Sequence, residues 1–373
     1  MNKCIGIIKS GKYLQTDYSS LTKTRPDYML PFGGRYRTVD FTLSNFSKHN
    51  LSKVLVFAGA NIRSTLDHIG NGKNWGLDKR HDGLMINPPS YVNHGDSTSE
   101  IQTYFNSLTF FEDANHEYIY ISDPMVISRI DITKAYREFI DNDYDVMFLY
   151  RKQKDTDYEY LNARKLVFDE GNKPTNIGIN LGTENIFNMY IEKMFIKKEV
   201  FMNLVKESIE KGDADNLLKA IFNNKHRLNL GSLEVFRHVE YIRDLNSYFK
   251  ANLNLLNPGI YADLLLTGEG IRTKSKDEPS TLYVEGNKVT NSLVANGCII
   301  KGEVENSILF RGVKIGKNAI IKNSLIFQKA VIEDNAVIIN AIVDKNCTVK
   351  EGVFVQGTSN NPHVVEKNMV VKK

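Results

Sequence analysis

The residues best suited to chemistry in this chain are a cluster of cations near its beginning. Arg25, Arg35 and Arg37 lie within thirteen residues, and Lys23 stands beside them. The planar guanidinium group of arginine can form two parallel hydrogen bonds to a phosphate, so the cluster suits a phosphorylated ligand. It predicts an anion site for a sugar phosphate or inorganic phosphate. The alternative is that these arginines pair with acidic residues at a domain or subunit contact.

A single carboxylate, Asp123, stands where an α/β fold places its ligands. Buried strands are predicted from the apolar runs 5–8, 54–57, 118–121 and 146–150. Helices are predicted over the amphipathic stretches 41–49, 101–112 and 132–140. This alternation predicts an α/β domain with a mostly parallel sheet covered on both faces. Ligands bind beyond the carboxyl ends of such strands, and Asp123 directly follows the strand that ends at Ile121.

The sequence changes its period from about Ser292 onward. Small residues precede aliphatic ones, mostly at steps of five or six residues, as in Ser307-Ile308, Gly312-Val313, Ala319-Ile320, Ser324-Leu325, Ala330-Val331 and Ala336-Val337. A triangular coil needs an inward aliphatic on each face and a small residue at each corner, so hexapeptide repeats of a parallel β-helix are predicted. The alternative is a sandwich of short strands, whose turns are usually about 8–12 residues apart. We predict domains at 1–250 and 292–373, joined by a linker at 251–291.

Composition excludes several classes of partner. The chain has 48 basic and 44 acidic residues, a net charge of +4, which is too mild to predict nucleic-acid binding. Three scattered cysteines, Cys4, Cys298 and Cys347, form neither a metal-ligand spacing nor a disulfide framework. The longest apolar run, 54–60, is too short to cross a bilayer, and no signal-peptide pattern opens the chain. We therefore expect a cytoplasmic protein without a nucleic-acid or membrane partner.

The repeat region also bears on acyl transfer, because acyltransferases of the hexapeptide type commonly use a histidine as base. No histidine occurs between His238 and His363. Acyl transfer by the coil is therefore not expected, and the coil is predicted to serve as scaffold and oligomer contact.

Several motifs together carry a resemblance to a known family. Residues 31–37 read PFGGRYR, 40–45 read DFTLSN, 67–70 read DHIG, 75–78 read WGLD and 292–294 read SLV. With these motifs the chain resembles the bacterial ADP-glucose pyrophosphorylases, also called glucose-1-phosphate adenylyltransferases. The resemblance implies a Rossmann-like nucleotidyltransferase domain followed by a left-handed β-helix. It also implies glycogen synthesis, a tetramer, and control by phosphorylated metabolites.

The resemblance assigns roles to particular residues. Two carboxylates hold Mg²⁺ in the family, and the matching positions here are Asp123 and Asp244. The neighbours of both have changed, so the alternative is that they cap turns or pair with arginine. Arg35 and Arg37 match family positions near the effector site between the two domains, which with Arg25 makes them the expected effector residues.

The catalytic machinery departs from the family at several places. The phosphate loop is replaced by residues 9–14, KSGKYL, which leaves Gly11 and Lys12, together with Trp75, as the remnant of a nucleotide site. The sugar-phosphate lysine of the family has no counterpart in residues 174–180, and Phe187 stands in the glucose-binding segment. Loss of one pre-organised donor costs about 10²–10³ in rate, so several losses predict little turnover.

This pattern resembles the GlgD-type subunits, which are weakly active or inactive companions of the catalytic subunit. That branch implies a heterotetramer in which this chain changes the activity and regulation of a catalytic partner. The predicted function is therefore a regulatory, weakly or non-catalytic subunit of glucose-1-phosphate adenylyltransferase, which makes ADP-glucose and diphosphate from ATP and glucose 1-phosphate. The alternative is an active sugar-phosphate nucleotidyltransferase with an aberrant phosphate loop.

Overall fold

The chain forms two compact units, each assembled from three stretches of sequence. The computed structural model describes residues 1, 3–9, 17–59, 61–80, 82–89 and 98–372. The first unit comprises Met1–Tyr13, Thr42–Ala60 and Asn71–Val239, and the second comprises Leu14–Phe41, Asn61–Gly70 and Glu240–Lys373. Two short excursions, at 14–41 and 61–70, therefore join the second unit besides the C-terminal part of the chain.

Strands and helices alternate through the first 261 residues. The strands are β1 (Cys4–Ile8), β2 (Pro31–Phe32), β3 (Tyr36–Arg37), β4 (Lys53–Phe57), β5 (Leu84–Asn87), β6 (Tyr118–Ser122), β7 (Val126–Ser128), β8 (Val146–Lys154), β9 (Arg164–Phe168), β10 (Pro174–Ile179), β11 (Ile186–Lys197), β12 (Leu230–Glu234) and β13 (Val239–Tyr241). The helices are α1 (Thr38–Lys48), α2 (Ile62–Ile69), α3 (Glu100–Phe105), α4 (Leu108–Glu112), α5 (Ile132–Asp141), α6 (Lys198–Lys211), α7 (Leu217–Asn223), α8 (Leu245–Asn254) and α9 (Pro258–Tyr261). Short 3₁₀ turns cover Ser19–Thr22, Asp27–Met29 and Lys73–Trp75, and a π-helical turn covers Ala262–Leu266.

The first unit is built on a nine-stranded sheet. Strands β6, β1, β4 and β5 lie side by side and run parallel, as the sequence predicts. The long strand β11 runs antiparallel to both β6 and β8, so the sheet is mixed beyond that point. The carboxyl ends of β1 and β6 meet at one edge, because Ile8 pairs with Ser122.

Helices cover both faces of this sheet. On one face α3, α6 and α7 pack against the strands through Tyr104, Phe201 and Leu217. On the other face Phe46 of α1 lies so close to Gly6 that a Cβ at position 6 would approach its ring to 2.6 Å. The predicted helix at 101–112 is divided into α3 and α4 near Ser107, whose hydroxyl donates to the Thr103 carbonyl at 3.0 Å. Such side-chain bonds compete with the regular helical pattern.

Parallel coils make up most of the second unit. Their strands are β14 (Leu282–Tyr283), β15 (Lys288–Thr290), β16 (Leu293–Val294), β17 (Ile299–Ile300), β18 (Glu303–Glu305), β19 (Ile308–Leu309), β20 (Lys314–Ile315), β21 (Ile320–Lys322), β22 (Leu325–Ile326), β23 (Val331–Ile332), β24 (Val337–Ile339), β25 (Ala341–Val343), β26 (Thr348–Val349), β27 (Phe354–Gln356), β28 (His363–Val365) and β29 (Val370–Val371). They form three sheets in which strands three apart pair in parallel, an arrangement typical of a left-handed β-helix. The hexapeptide prediction is confirmed, and the coils begin at Leu282.

The interior and corners of the coils follow the predicted pattern. Most of the short strands point an aliphatic inward, for example Ile300, Ile315 and Ile332 from successive coils. Asparagines occupy left-handed backbone at the corners, as Asn306 and Asn323 do with φ of 48° and 46°. Asparagine tolerates this conformation better than most residues do. The repeat is therefore encoded locally, by small corner residues and inward aliphatics.

The PFGGRYR motif forms a hairpin within the second unit. Strands β2 and β3 pair antiparallel around Gly33 and Gly34, whose φ values of +58° and +80° favour glycine. The amide of Gly33 donates to Oδ1 of Asn252 at 3.0 Å, which ties the hairpin to α8. Within the described part of the chain, no helix is both long and apolar enough to cross a membrane.

Candidate functional site

A strongly basic cavity of about 700 Å³ lies within the second unit. Its cationic lining comes from Arg25, Arg37, Arg63, Lys274, Lys276, Lys345 and Lys367. His68 and Asp67 also line it, so one carboxylate of the lining faces seven cations. We call this cavity the basic pocket. Such an excess of positive charge favours an anionic ligand.

Arg25 is held in the basic pocket by a buried ion pair. Its Nη2 lies 2.8 and 2.7 Å from the two carboxylate oxygens of Asp344, which follows β25. The side chains are 7% and 1% exposed. The pairing alternative that the sequence left open is thus realised for this arginine, which lines the pocket as well.

The other cations of the basic pocket lie close enough to repel one another. Burial lowers the pKa of Arg37 to about 10, and nearby Arg25 adds to the effect. Partial burial likewise lowers the pKa of Lys345, with Lys276 and Arg37 as the next contributions. A bound anion would relieve this repulsion, since it favours the charged form of each neighbour.

Arg35 points away from the basic pocket. It is exposed, with its guanidinium 5.5 Å from the ring centroid of Tyr36, and it lines a smaller cavity of about 200 Å³ together with Arg311. Lys276 lines both cavities. The structure therefore brings Arg25 and Arg37 together and places Arg35 in a neighbouring site.

Two of the sequence motifs meet beside the basic pocket. Nε2 of His68, from the DHIG motif, lies 2.6 Å from Oδ1 of Asp40, and the carboxylate of Asp40 is fully buried. The other oxygen of Asp40 accepts the amide of Arg37 at 3.0 Å. Asp40 thus fixes the start of α1 and the backbone that carries Arg37.

A second cluster of charged residues lies in the first unit, at the carboxyl ends of β1 and β6. Lys9 follows β1, and its Nζ lies 3.1 Å from Oε2 of Glu192. Asp123 follows β6, accepts the Met125 amide at 2.9 Å and donates its own amide to the Glu192 carbonyl at 3.1 Å. These side chains are nearly inaccessible to solvent. Asp123 therefore lies at the edge where the sequence predicted it.

Burial and the neighbouring opposite charges shift the pKa of Lys9, and that of Asp123, in opposite directions. Burial disfavours the ammonium of Lys9, but Glu192, Glu100 and Asp123 outweigh it, so the pKa of Lys9 is raised. Burial is also the largest effect on Asp123, and it raises the pKa of that carboxyl although Lys9 opposes it. Lys193 donates to the Val126 carbonyl at 2.5 Å, and burial lowers its pKa to about 8.

The surroundings of Asp123 and Asp244 do not fit a Mg²⁺ site. Asp123 lies among the buried ammonium groups of Lys9 and Lys193, which repel a divalent cation. Asp244 caps α8, where its Oδ1 accepts the amide and the hydroxyl of Ser247, both at 2.8 Å. Within the described residues, no three His, Cys, Asp or Glu side chains are grouped to hold a metal ion. The capping alternative therefore describes Asp244.

Comparison with known proteins agrees with both halves of this architecture. Residues 17–172 match the nucleotidyl transferase family, and residues 281–367 match the GlmU-like, C-terminal hexapeptide family. The chain is 31% identical to the glycogen biosynthesis protein GlgD of Bacillus subtilis over 99% of its own length and 97% of that protein. It is 30% identical to the glucose-1-phosphate adenylyltransferase of Thermotoga maritima, over 79% of this chain and 70% of that protein.

The chain belongs to the glucose-1-phosphate adenylyltransferase family, which includes the GlgD proteins. Nucleotidyl transferases typically use Mg²⁺, so the cationic surroundings of Asp123 are a departure within this family. The resemblance also predicts changes among the nucleotide-binding and sugar-binding residues.

The remaining residues predicted for a nucleotide site are only partly described. Gly11 and Lys12 lie outside the described residues. Trp75 is fully buried in the first unit, and its carbonyl accepts the Ser47 hydroxyl at 2.5 Å. A fully buried ring favours a packing role, and its part in nucleotide binding stays a prediction.

Phe187 and Lys173 lie in or beside the segments that the family resemblance assigns to the sugar. Phe187 on β11 is 1% exposed, so its ring fills space that a small residue would leave open. Lys173 is exposed in a turn, where Asp169 accepts the amides of Gly171 and Lys173 at 3.0 and 2.8 Å. Lys173 is therefore a solvated turn residue.

Sequence reasoning missed the lysines of the basic pocket and the partners of Lys9. Lys274 and Lys276 lie in a polar stretch that was predicted as linker and loop, and Lys345 and Lys367 lie in turns of the coils. These lysines come together only when the chain folds, and no local sequence pattern indicates that they line one pocket. One signal was present, because Glu192 and Lys193 are two adjacent charged residues within the mostly apolar strand β11.

Proposed function

We propose that this chain is a regulatory, weakly or non-catalytic subunit of glucose-1-phosphate adenylyltransferase in glycogen biosynthesis. It works with a catalytic subunit in a heterotetramer and responds to a phosphorylated metabolite or to inorganic phosphate. The basic pocket carries this proposal, since seven cations converge there within the second unit. Its relatives, named GlgD and glucose-1-phosphate adenylyltransferase, support the pathway.

The chemistry of adenylyl transfer supports weak or absent catalysis. The reaction depends on positioning and on cations that stabilise developing charge, because the protein supplies no covalent step. In the first unit Lys9 is already paired with buried Glu192, and Phe187 crowds the sugar segment. Among the residues that the structure describes, Lys9 is therefore not available at this edge to stabilise a transferring adenylyl group.

Ligand binding in the basic pocket supplies the means of regulation. Arg25 is fixed by Asp344, and Arg37 is fixed through its Nη1, which donates to the Met29 carbonyl at 2.6 Å. Pre-organised cations bind an anion without the cost of ordering them first. A phosphate bound there would link the N-terminal hairpin region to the coils, since Lys276 and Lys345 come from the C-terminal part of the second unit.

The test is ADP-glucose formation from ATP and glucose 1-phosphate with Mg²⁺. It is measured for this chain alone, for the catalytic subunit of the same cell alone, and for the two copurified. We expect no turnover from this chain alone and an altered rate or effector response in the mixture. Brisk turnover by this chain alone would instead support the active nucleotidyltransferase. An unchanged catalytic subunit in the mixture would contradict the regulatory role.

A further inference from the structure

The buried charged cluster of the first unit is built by four segments of the sheet. Lys9 follows β1, Asp123 follows β6, Arg164 begins β9, and Glu192 and Lys193 belong to β11. Oε2 of Glu192 lies 3.1 Å from the Lys9 ammonium and 3.2 Å from Nη1 of Arg164. Lys9, Asp123, Glu192 and Lys193 are each 8% exposed or less.

The backbone of β11 forms a bulge at Glu192, and this bulge places the Glu192 side chain in the cluster. The register of β11 shifts between Tyr190 and Lys193, and Glu192 has a φ of +54°. A bulge redirects a side chain, and a non-glycine residue in left-handed backbone persists only where its surroundings hold it there. Here the bulge turns a carboxylate inward onto two cations. Ordinary strand geometry would send residues 192 and 193 to opposite faces of the sheet.

The charges named in this cluster balance without any added ion. Lys9, Lys193 and Arg164 are three cations, and the carboxylates acting on Lys9 are the three of Glu192, Glu100 and Asp123. Glu100 is itself buried and accepts the hydroxyl of Tyr104 at 2.8 Å. A divalent cation placed beside Asp123 would add two charges to a buried group that is already neutral.

We infer that Lys9 and Lys193 are built-in cations that take the place of a divalent metal ion beside Asp123. Mg²⁺ demands several oxygen ligands in near-octahedral geometry and gives up its water reluctantly. Asp123 and Glu192 offer oxygens, but their negative charge is already compensated by the lysines and Arg164. The buried charged cluster is therefore stable without a divalent metal ion beside Asp123. This goes beyond the proposed function, which concerns the basic pocket and the partner subunit.

Removing one of these lysines should let the full chain bind a divalent metal ion. Replacing Lys9 by methionine removes one positive charge and leaves Asp123 and Glu192 undercompensated. We expect Lys9→Met to bind Mn²⁺ about tenfold more tightly than the wild type, because one repelling charge is lost at short range. Mn²⁺ is followed by loss of its free electron paramagnetic resonance signal, without nucleotide or partner, and Mg²⁺ should displace it.

Two controls locate the effect. Lys219→Met removes an exposed lysine of α7 in the same unit and should behave as wild type. Adding Asp123→Asn to Lys9→Met should abolish the gained site. A folded Lys9→Met chain, judged by near-ultraviolet circular dichroism, that gains no Mn²⁺ affinity would overturn the inference.

The wild-type chain decides the question if Lys9→Met does not fold. We expect wild type and Asp123→Asn to show the same Mn²⁺ binding, since Asp123 holds no metal. Mn²⁺ bound by wild type and lost in Asp123→Asn would overturn the inference. Either result leaves the assay with the catalytic subunit untouched, so failure here is distinct from failure of the proposed function.

Discussion

Arg25 serves both the stability of the second unit and the charge of the basic pocket. Its ion pair with Asp344 is almost completely buried, and burying two charges is favourable only while both remain paired. Lys23, two residues earlier, forms a comparable pair with Glu366 at 2.6 Å, but there the side chains are 62% and 44% exposed. The two pairs therefore differ mainly in their exposure to water.

This difference predicts unequal effects of two similar substitutions. Arg25→Ala leaves the Asp344 carboxylate buried without its main partner, and we expect it to lower the free energy of unfolding by about 3–5 kcal/mol. Lys23→Ala should change it by about 0–1 kcal/mol, as exposed pairs do. Urea denaturation followed by circular dichroism measures both. Equal losses would show that the buried pair does not stabilise the second unit.

The sequence indicated only part of the cationic lining of the basic pocket. The resemblance to the family placed Arg35 and Arg37 together as expected effector residues. However, β3 begins only at Tyr36, so Arg35 still belongs to the turn that contains the left-handed Gly33 and Gly34. Its side chain therefore points in a different direction from that of Arg37. Arg25 and Arg37 do meet in the basic pocket, while its lysines come from distant segments that no local pattern connects.

At the scale of elements, one corner of the coils is held by a ladder of serine hydroxyls. Ser292 accepts the amide of Ser307, Ser307 accepts that of Ser324, and Ser324 accepts that of Ala341, at 3.1, 3.0 and 3.2 Å. Each hydroxyl also donates to a carbonyl two residues earlier, as Ser324 does to Lys322 at 2.6 Å. The ladder satisfies backbone groups that the tight corner would otherwise bury unpaired.

The position along the ladder predicts the cost of removing a hydroxyl. Ser324 is fully buried, so Ser324→Ala leaves the Ala341 amide without an acceptor and should cost about 1–3 kcal/mol. Ser292 is only half-buried at the first step of the ladder, where water can replace the lost oxygen. Ser292→Ala should therefore cost less. Denaturation of the full chain compares the two variants, and a larger loss at Ser292 would contradict the ladder argument.

The elements were predictable to the extent that their signals are local. The coils repeat over a few residues, and the small corner residues predicted them directly. The apolar runs of β1, β4 and β6 likewise predicted buried parallel strands. The direction of β11 depends on how the chain returns to the sheet. Its bulge at Glu192 depends on the ion pair with Lys9, which lies more than a hundred residues earlier in the sequence. The only local signal is the pair of adjacent charged residues, Glu192 and Lys193, within the mostly apolar strand β11.

At the scale of the whole molecule, the two units carry different kinds of charged site. In the first unit the cations around Asp123 are compensated by buried carboxylates, which disfavours a metal-dependent reaction there. In the second unit the cations of the basic pocket outnumber the carboxylates that line it. These two sites fit the proposed regulatory role, in which the chain acts on catalysis through a partner subunit.

The most direct measurement is the effect of inorganic phosphate on ADP-glucose formation by the copurified subunits. The wild-type chain is compared with Lys276→Met/Lys345→Met, which removes two cations of the basic pocket, and with Lys314→Met, which removes an exposed lysine of β20 outside it. We predict that phosphate changes the rate with wild type and with Lys314→Met, and that the double variant loses this response while still copurifying. An unchanged phosphate response in the double variant would contradict regulation through the basic pocket.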